Sequence, residues 1–536
     1  MNFDKFGVMV DCSRNSVMNV RSVKKLIDLL SAMGYNTIQL YTEDTYEVNN
    51  EPYFGYLRGR YSKSELKEID AYAASKQMEL IPCVQTLAHI DKIFRWAPYA
   101  PIRDCHDILL VGNERVYELI DNIFSTLAEC FTSRNVNIGM DEAHMLGLGR
   151  YLDEHGYKNR HDIMLEHLKR VSEIAEKYGF RCAMWSDMFF RLAFGRYHVP
   201  DAVMPEEVMN RVPKNVDLIY WDYYGHEVEH YDCMMKHHNK FGNNIIFAGG
   251  LWTWRGLAPF NRYSLEATKA AFTACQNNGV KNVFLTMWGD NGGSCSPFSV
   301  MPSLFTASEF AKGNYNTKEI KRKFEEFFGI PFDVFMYADL PNILSDKQDF
   351  FPFNPSKYMF YSDCLLGMHA TTFEKGVGEI YKKHVAKLKR AEKNKDWAFV
   401  FAPLRALCEV LYYKADLGLR TRDAYRAGDK AALNALITSS YKPAIKKIRL
   451  FHKTLSAYWD TIFKPHGFDV MDIRIGGVLQ RLEHVVEKIS AYTSGQVDRI
   501  EELDEELLDF FGNEKEIKKE LFPDNNFAYQ VTVNTL

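Results

Sequence analysis

The stretch Asn135–His144, NVNIGMDEAH, decides the fold. Val136–Met140 reads as a short, mostly apolar strand that delivers two adjacent carboxylates, Asp141 and Glu142, at its C-terminal end. Neighbouring side chains on an ideal strand point to opposite faces. Both reach one pocket only where the strand ends and the chain bends, which is where (β/α)8 barrels keep their chemistry. Gly139, just before the pair, suits a tight backbone. An Asp and a Glu side by side at such a place are expected to do acid/base work.

Outward from this stretch, strand-like runs alternate with helical patterns. Phe6–Cys12, Thr37–Tyr41 and Glu79–Val84 precede it; Cys182–Trp185, Asp217–Trp221, Asn244–Phe247 and Asn282–Met287 follow. Helical periodicity marks Val17–Met33, a helix starting at Ser62 or Ser64, Val116–Phe131, His161–Tyr178, His230–Phe241, Ser264–Asn277 and Pro302–Ala311. Eight strand–helix units within residues 1–314 predict a TIM barrel in the α/β class. A doubly wound sheet would bring a Gly-rich phosphate turn, and the sequence has none.

Past residue 314 the pattern becomes amphipathic and rich in Lys, Glu, Leu and Ala. Tyr315–Phe328, Phe373–Lys393, Ala398–Ala427, Lys430–Ala457 and Gly477–Ser494 predict an all-α C-terminal domain over 315–536. Pro341, Pro352 and Pro355 mark a loop within it. The tail PDNNFAYQVTVNTL reads as one strand or a loose end.

Composition narrows the function. A net charge of −4 leaves no electrostatic footprint for nucleic acid or an anionic membrane. The start MNFDKFGVMVDC has no signal-peptide pattern and no run approaches a membrane span. Ten cysteines without a CxxC predict reduced thiols and a cytoplasmic protein. His144 and His161 lack a ligand set at metal spacing, so no metal and no cofactor is expected. Asp141–His144 also spells the DEAH box of helicases, but that motif needs an upstream GxxxxGK[ST], which does not occur.

The last four strand ends repeat one pattern: Trp185-Ser186-Asp187, Trp221-Asp222-Tyr223-Tyr224, Trp252-Thr253-Trp254 and Trp288-Gly289-Asp290. These aromatics either fill the barrel top as core or form a box that stacks on a sugar face and encloses a small group such as an acetyl. Asp187 and Asp290 would then bind hydroxyls.

The barrel resembles that of glycoside hydrolase family 20, the β-N-acetylhexosaminidases, over most of residues 5–312. VDCSRN at 10–15 is similar to the family's first-strand Asp-x-Ser-Arg-His. Glu43 and Asp44 sit at its second-strand acidic pair, and Pro82 and His89 match its third-strand Pro-Glu-x-Asp-x-Pro-Gly-His. MDE at 140–142 resembles the Gly-Asp-Glu core, and MWGD at 287–290 the eighth-strand Trp-Gly-Glu. The resemblance implies that Glu142 is the general acid and then the base for water. It implies that Asp141 orients the substrate's own 2-acetamido group, whose oxygen attacks the anomeric carbon through an oxazolinium intermediate with retention. The tryptophan box would raise the Glu142 pKa by excluding water. Glu43, Asp44, His89, Trp185, Trp221, Tyr223, Trp252, Trp254, Trp288 and Asp290 are the expected substrate contacts.

Three departures stand out. The family's arginine before the first-strand glycine, which holds the sugar's 3- and 4-hydroxyls, is Phe6 here, so both gluco and galacto configurations are expected to be accepted. The third-strand acidic residues are missing from PCVQTLAH. The seventh-strand tyrosine aligns with Trp252, leaving Tyr223 or Tyr224 for its hydrogen bond to the acetamido oxygen. The expected substrate is an oligosaccharide or glycoconjugate ending in N-acetylglucosamine or N-acetylgalactosamine, including, as a subcase, N-acetylglucosamine linked to protein. The other reading is a non-catalytic sugar-binding barrel; a binder would be free to lose one of the two carboxylates. The helical domain is expected either to build a homodimer or to wall the active site.

Overall fold

The computed structural model describes residues 2–290, 292–345, 354–510 and 512. Eight parallel strands close into a barrel in sequence order: β1 Lys5–Asp11, β2 Thr37–Thr42, β3 Glu79–Val84, β4 Asn135–Asn137, β5 Arg181–Trp185, β6 Asp217–Trp221, β7 Ile245–Gly250 and β8 Asn282–Met287. Register closes the ring, with Val8 opposite Ile38 on one side and Leu285 on the other. Met9, Tyr41, Cys83, Trp185, Ile219, Ala248 and Phe284 pack together as a buried cluster. The barrel is therefore a filled core whose chemistry has to sit at a mouth.

The outer helices follow their capping signals. Asn19 accepts from Ser22 N at the start of Val20–Met33, and Gly34 ends that helix at φ +95°. Ser62 and Glu65 make a reciprocal capping box at the start of Lys63–Ser75.

β4 is shorter than the expected Val136–Met140. The Asn137 carboxamide accepts Gly139 N at 3.0 Å, and Gly139 and Met140 both turn to φ +73°. A local side-chain acceptor thus competes with the ladder and bends the chain just before the carboxylates. A Cβ on Gly139 would collide with the Gln85 side chain, so the glycine is required twice over.

The chain divides into two compact units, and not by a single cut. One comprises residues 1–251, 264–288 and 303–316, the other 252–263, 289–302 and 317 onward. The second unit is helical. The expected helix Ala398–Ala427 is two, Ala398–Lys414 and Leu417–Arg426. Asp416 lies between them, its carboxylate accepting from Arg420 Nε and Gly376 N. Lys430–Ala457 is interrupted by a π-turn at Ile437–Tyr441 and then runs to Ile462. The helix expected to begin at Gly477 begins at Phe468 and passes through Gly476-Gly477. Burial of Met471, Ile475, Leu482, Val485 and Ile489 offsets the cost of two glycines, about 1 kcal/mol each. The tail reading at 523–536 and Pro352 lie outside the described residues. Among the described residues no helix is long and apolar enough to cross a membrane.

Candidate active site

The chain that leaves β4 turns through Gly139 and Met140, and Glu142 itself sits at φ +50°. Left-handed backbone at non-glycine residues is costly and gathers at functional sites. Here it sets the two adjacent carboxylates on one side. His89, also left-handed at φ +56°, places Nε2 at 3.3 Å from Asp141 and 3.7 Å from Glu142.

Asp141 is buried and accepts Gln85 Nε2 at 2.7 Å. Glu142 keeps 37 % of its side chain exposed, with Arg191 Nη2 at 3.4 Å; its own N–H donates to Asp187 at 3.1 Å. Burial alone would raise the Asp141 carboxyl, but the charge and hydrogen bond of His89 and the Gln85 amide outweigh it and hold it below the usual range. Burial would lower His89, yet the Asp141 charge and hydrogen bond lift it to about 10, so it is an imidazolium at neutral pH.

Around this pair runs a buried polar network. Gln85, fully enclosed, also donates to Tyr41 Oη at 2.9 Å and accepts Met140 N at 3.1 Å. Tyr41 donates to Glu43 at 3.3 Å, and Arg14 lies 3.3 Å from Glu43. Burial raises Glu43 to about 7, with Arg14 and His89 opposing. Asp187 is fully buried and accepts Arg191 Nε at 3.0 Å and Trp221 Nε1 at 3.4 Å. Burial and the neighbouring Asp141 and Glu142 charges raise its carboxyl.

The expected contacts divide. His89, Asp141 and Glu142 converge, and Glu43 stands behind them, 1 % exposed. Asp44, also 1 % exposed, pairs with Arg58 Nε at 3.2 Å. Asp187, expected to bind hydroxyls, is fully buried and accepts from the Glu142 N–H and Arg191 Nε. Trp185 is 1 % exposed and packs in the buried cluster of the barrel. Trp221 and Trp288 pack against that core and stay partly accessible. Tyr223, buried and stacked on Trp221 at 5.3 Å, accepts Trp288 Nε1 at 2.9 Å. Tyr224 is 47 % exposed. Trp252, Trp254 and Asp290 belong to the second unit. There Trp252 is 1 % exposed and stacks on Trp254 at 4.4 Å. Phe6 is fully buried and stacks on Tyr35 at 4.1 Å.

Sequence reading missed three groups. Gln85 lies in PCVQTLAH, where only the loss of acidic residues had been noticed. Arg191 follows Asp187 at i+4 on Asp187–Phe194, a spacing that signals an ion pair. His198 and His230 flank Asp222 with ligand atoms all within 4.8 Å. Their rings stack at 4.1 Å with 8° between planes, and His230 Nε2 lies 2.8 Å from Asp222 Oδ2. Imidazole lone pairs lie in the ring plane, and two nearly parallel planes do not meet at one ion, a poor match to a tetrahedral zinc site.

A closed parallel barrel with convergent carboxylates beyond its fourth strand defines a (β/α)8-barrel protein whose candidate site lies at the C-terminal mouth. The family model for the glycosyl hydrolase family 20 catalytic domain matches residues 3–231, and that for the Glycoside Hydrolase 20C C-terminal domain matches residues 333–522. The chain belongs to glycoside hydrolase family 20. It is similar to hexosaminidase D of Bos taurus, 27 % identical over 217 residues, covering 38 % of this chain and 58 % of that protein. To hexosaminidase D of Homo sapiens it is 26 % identical over 221 residues, covering 38 % and 42 %. The chain thus spans about half the length of these curated relatives. A β-N-acetylhexosaminidase structure from Bacteroides fragilis aligns at 17 % identity and TM-score 0.46, covering 61 % of this chain and 71 % of that one.

Proposed function

We propose that the protein is a retaining exo-β-N-acetylhexosaminidase that removes terminal β-linked N-acetylglucosamine or N-acetylgalactosamine by substrate-assisted catalysis. One observation carries this reading: a single imidazole nitrogen, His89 Nε2, lies within 3.3 Å of Asp141 and 3.7 Å of Glu142, so both carboxylates face one spot. Ordinary retention needs carboxylates on opposite sides of the bond, about 5 Å apart, one of them a nucleophile. Two adjacent carboxylates on one side suit a substrate that brings its own nucleophile.

In this mechanism Glu142, the more exposed of the two, protonates the glycosidic oxygen. Asp141, kept ionised by His89 and Gln85, accepts the acetamido N–H and stabilises the positive charge that develops as the carbonyl oxygen closes on C1. The Tyr223 hydroxyl, aimed by Trp288, donates to that carbonyl oxygen. Glu142 as base then takes a proton from water, whose oxygen bonds to C1 as the bond from C1 to the acetamido oxygen breaks, which restores the acetamido group. The free thiols of the chain fit a reducing compartment, the cytoplasm, where incoming glycans would arrive already shortened.

The test is hydrolysis of paired 4-nitrophenyl β-glycosides of N-acetylglucosamine and glucose, with a thiazoline analogue as inhibitor. Cleavage of the acetamido sugar alone, blocked by the thiazoline, is the expected result. Equal cleavage of glucose overturns the acetamido mechanism, and cleavage of neither leaves a sugar-binding barrel.

A further inference from the structure

The loops that follow β2 and β3 carry more than Glu43 and His89. Tyr53 and Tyr56, in the first, are 43 % and 44 % exposed, and Trp96, in the second, is partly exposed. Their rings meet: Tyr53 to Trp96 at 5.8 Å, Tyr56 to Trp96 at 5.3 Å and Tyr53 to Tyr56 at 6.2 Å. Leu57 beside them is 68 % exposed and sits at φ +64°, a conformation leucine rarely adopts.

The loop is not loosely held. Arg58 donates to Asp44 Oδ1 and to the carbonyls of Arg14 and Ser13, and Arg60 donates to the carbonyls of Pro52 and Phe54. Phe54 is turned inward against Tyr46 at 5.3 Å, and Gly55 packs so closely on the Asp44 carbonyl that a Cβ would collide with it. Two arginines thus fix the inner side of the loop while its tyrosines stand outside. Isolated exposed apolar residues are ordinary, whereas three aromatics in mutual contact at the surface of the loops after β2 and β3 make a patch of the kind that takes a ligand.

We propose that Trp96, Tyr53 and Tyr56 form a stacking platform for a sugar on the leaving-group side of the scissile bond, which makes β-linked oligosaccharides the substrate class. This rests on the hydrolase reading above. Parallel strands put both loops at the C-terminal mouth, and β2 and β3 are neighbours there. Glu142, the group that hands a proton to the leaving sugar, lies next to His89, and the chain runs on from His89 to Trp96. Aromatic faces suit the apolar face of a pyranose, and tyrosine hydroxyls at the rim can stay wet.

The test uses the full chain, as wild type, Trp96→Ala, Trp96→Phe and Tyr53→Ala/Tyr56→Ala. The substrates are N-acetyl-β-glucosaminyl fluoride, whose leaving group is too small to reach the rings, and the β-1,3- and β-1,4-linked N-acetylglucosamine trisaccharides. Expected is a fall of about 3- to 10-fold in kcat/KM on the trisaccharide that the wild type cleaves, mostly in KM, with the fluoride unchanged and Trp96→Phe largely restored. An equal fall on both substrates, or none on the trisaccharide, overturns the platform alone. So does wild-type enzyme that cleaves the fluoride and neither trisaccharide. Wild-type enzyme that cleaves nothing overturns the hydrolase reading and the platform with it. Self-association in sedimentation velocity that Trp96→Ala abolishes would make the surface a contact between copies and overturn the sugar site.

Discussion

His89 Nε2 and Asp141 Oδ2 stand 3.3 Å apart, an imidazolium and a carboxylate that each shift the other toward its charged form. The His89 pKa is raised in the fold to about 10. Its stabilisation is fully present below the unfolded value of about 6.5 and is lost as pH rises through about 10. Asp141, lowered in the fold, gives the mirror image: stability present above the ordinary carboxylate value of about 3.9 and lost below it. His89→Asn is therefore expected to be less stable than wild type at pH 6 by about 1.5–3 kcal/mol, the worth of a hydrogen bond to a charged group. The gap should close toward pH 10. Urea midpoints across that range check it; a constant gap would place the loss in packing.

Glu142→Gln is expected to lower kcat by about 10²–10⁴-fold on substrates with poor leaving groups. A good leaving group needs less protonation, so an aryl glycoside with an acidic phenol should be spared on its first step. Equal losses across a series of phenols would show that Glu142 is not the acid.

Asp141→Asn leaves the acetamido group without its orienting charge, and a fall in kcat of similar size is expected. A mutant running at the wild-type rate would refute substrate assistance, since no other carboxylate described here stands beside both His89 and Glu142.

Gln85 bridges Asp141, Tyr41 and the Met140 N–H from a fully buried position. Gln85→Ala strands those partners and is expected to cost about 1–3 kcal/mol in chemical denaturation. Gln85→Glu keeps the volume but sets a carboxyl against Asp141. Activity should then shift its acidic limb upward, because like charges resist joint ionisation. An unmoved pH profile would mean that Gln85 serves folding alone.

Tyr223→Phe removes one hydroxyl from a ring held against Trp221, so the fold should persist and kcat should fall more than KM rises. Unchanged kcat would move the role to Tyr224, 47 % exposed, or to another donor.

Much of this protein was legible in its residues, because periodicity and punctuation are local. The spacing of Val23, Leu26, Ile27 and Leu30, a helix start at Ser62 or Ser64, and β3, β6 and β8 at their full lengths follow from the chain alone. So does the place of Asp141 and Glu142 after the fourth strand, since two adjacent carboxylates bound for one pocket require the strand to end and the chain to bend. The fate of the aromatics needed the fold. Trp185 and Trp221 carry the same signature, yet barrel closure seals the first into the core and leaves the second partly open. Local pattern likewise does not say that Asp44 will meet Arg58 or that Asp187 will accept the Glu142 N–H. Sequence by itself determined the barrel, its order and the acidic pair, because helix and strand periods are written within a few residues of each other. Tertiary structure alone decided the charge of the site. The imidazolium of His89, the amide of Gln85 and the guanidinium of Arg191 come from three separate stretches, and their effect depends on distances of 3–4 Å and burial that no local pattern encodes.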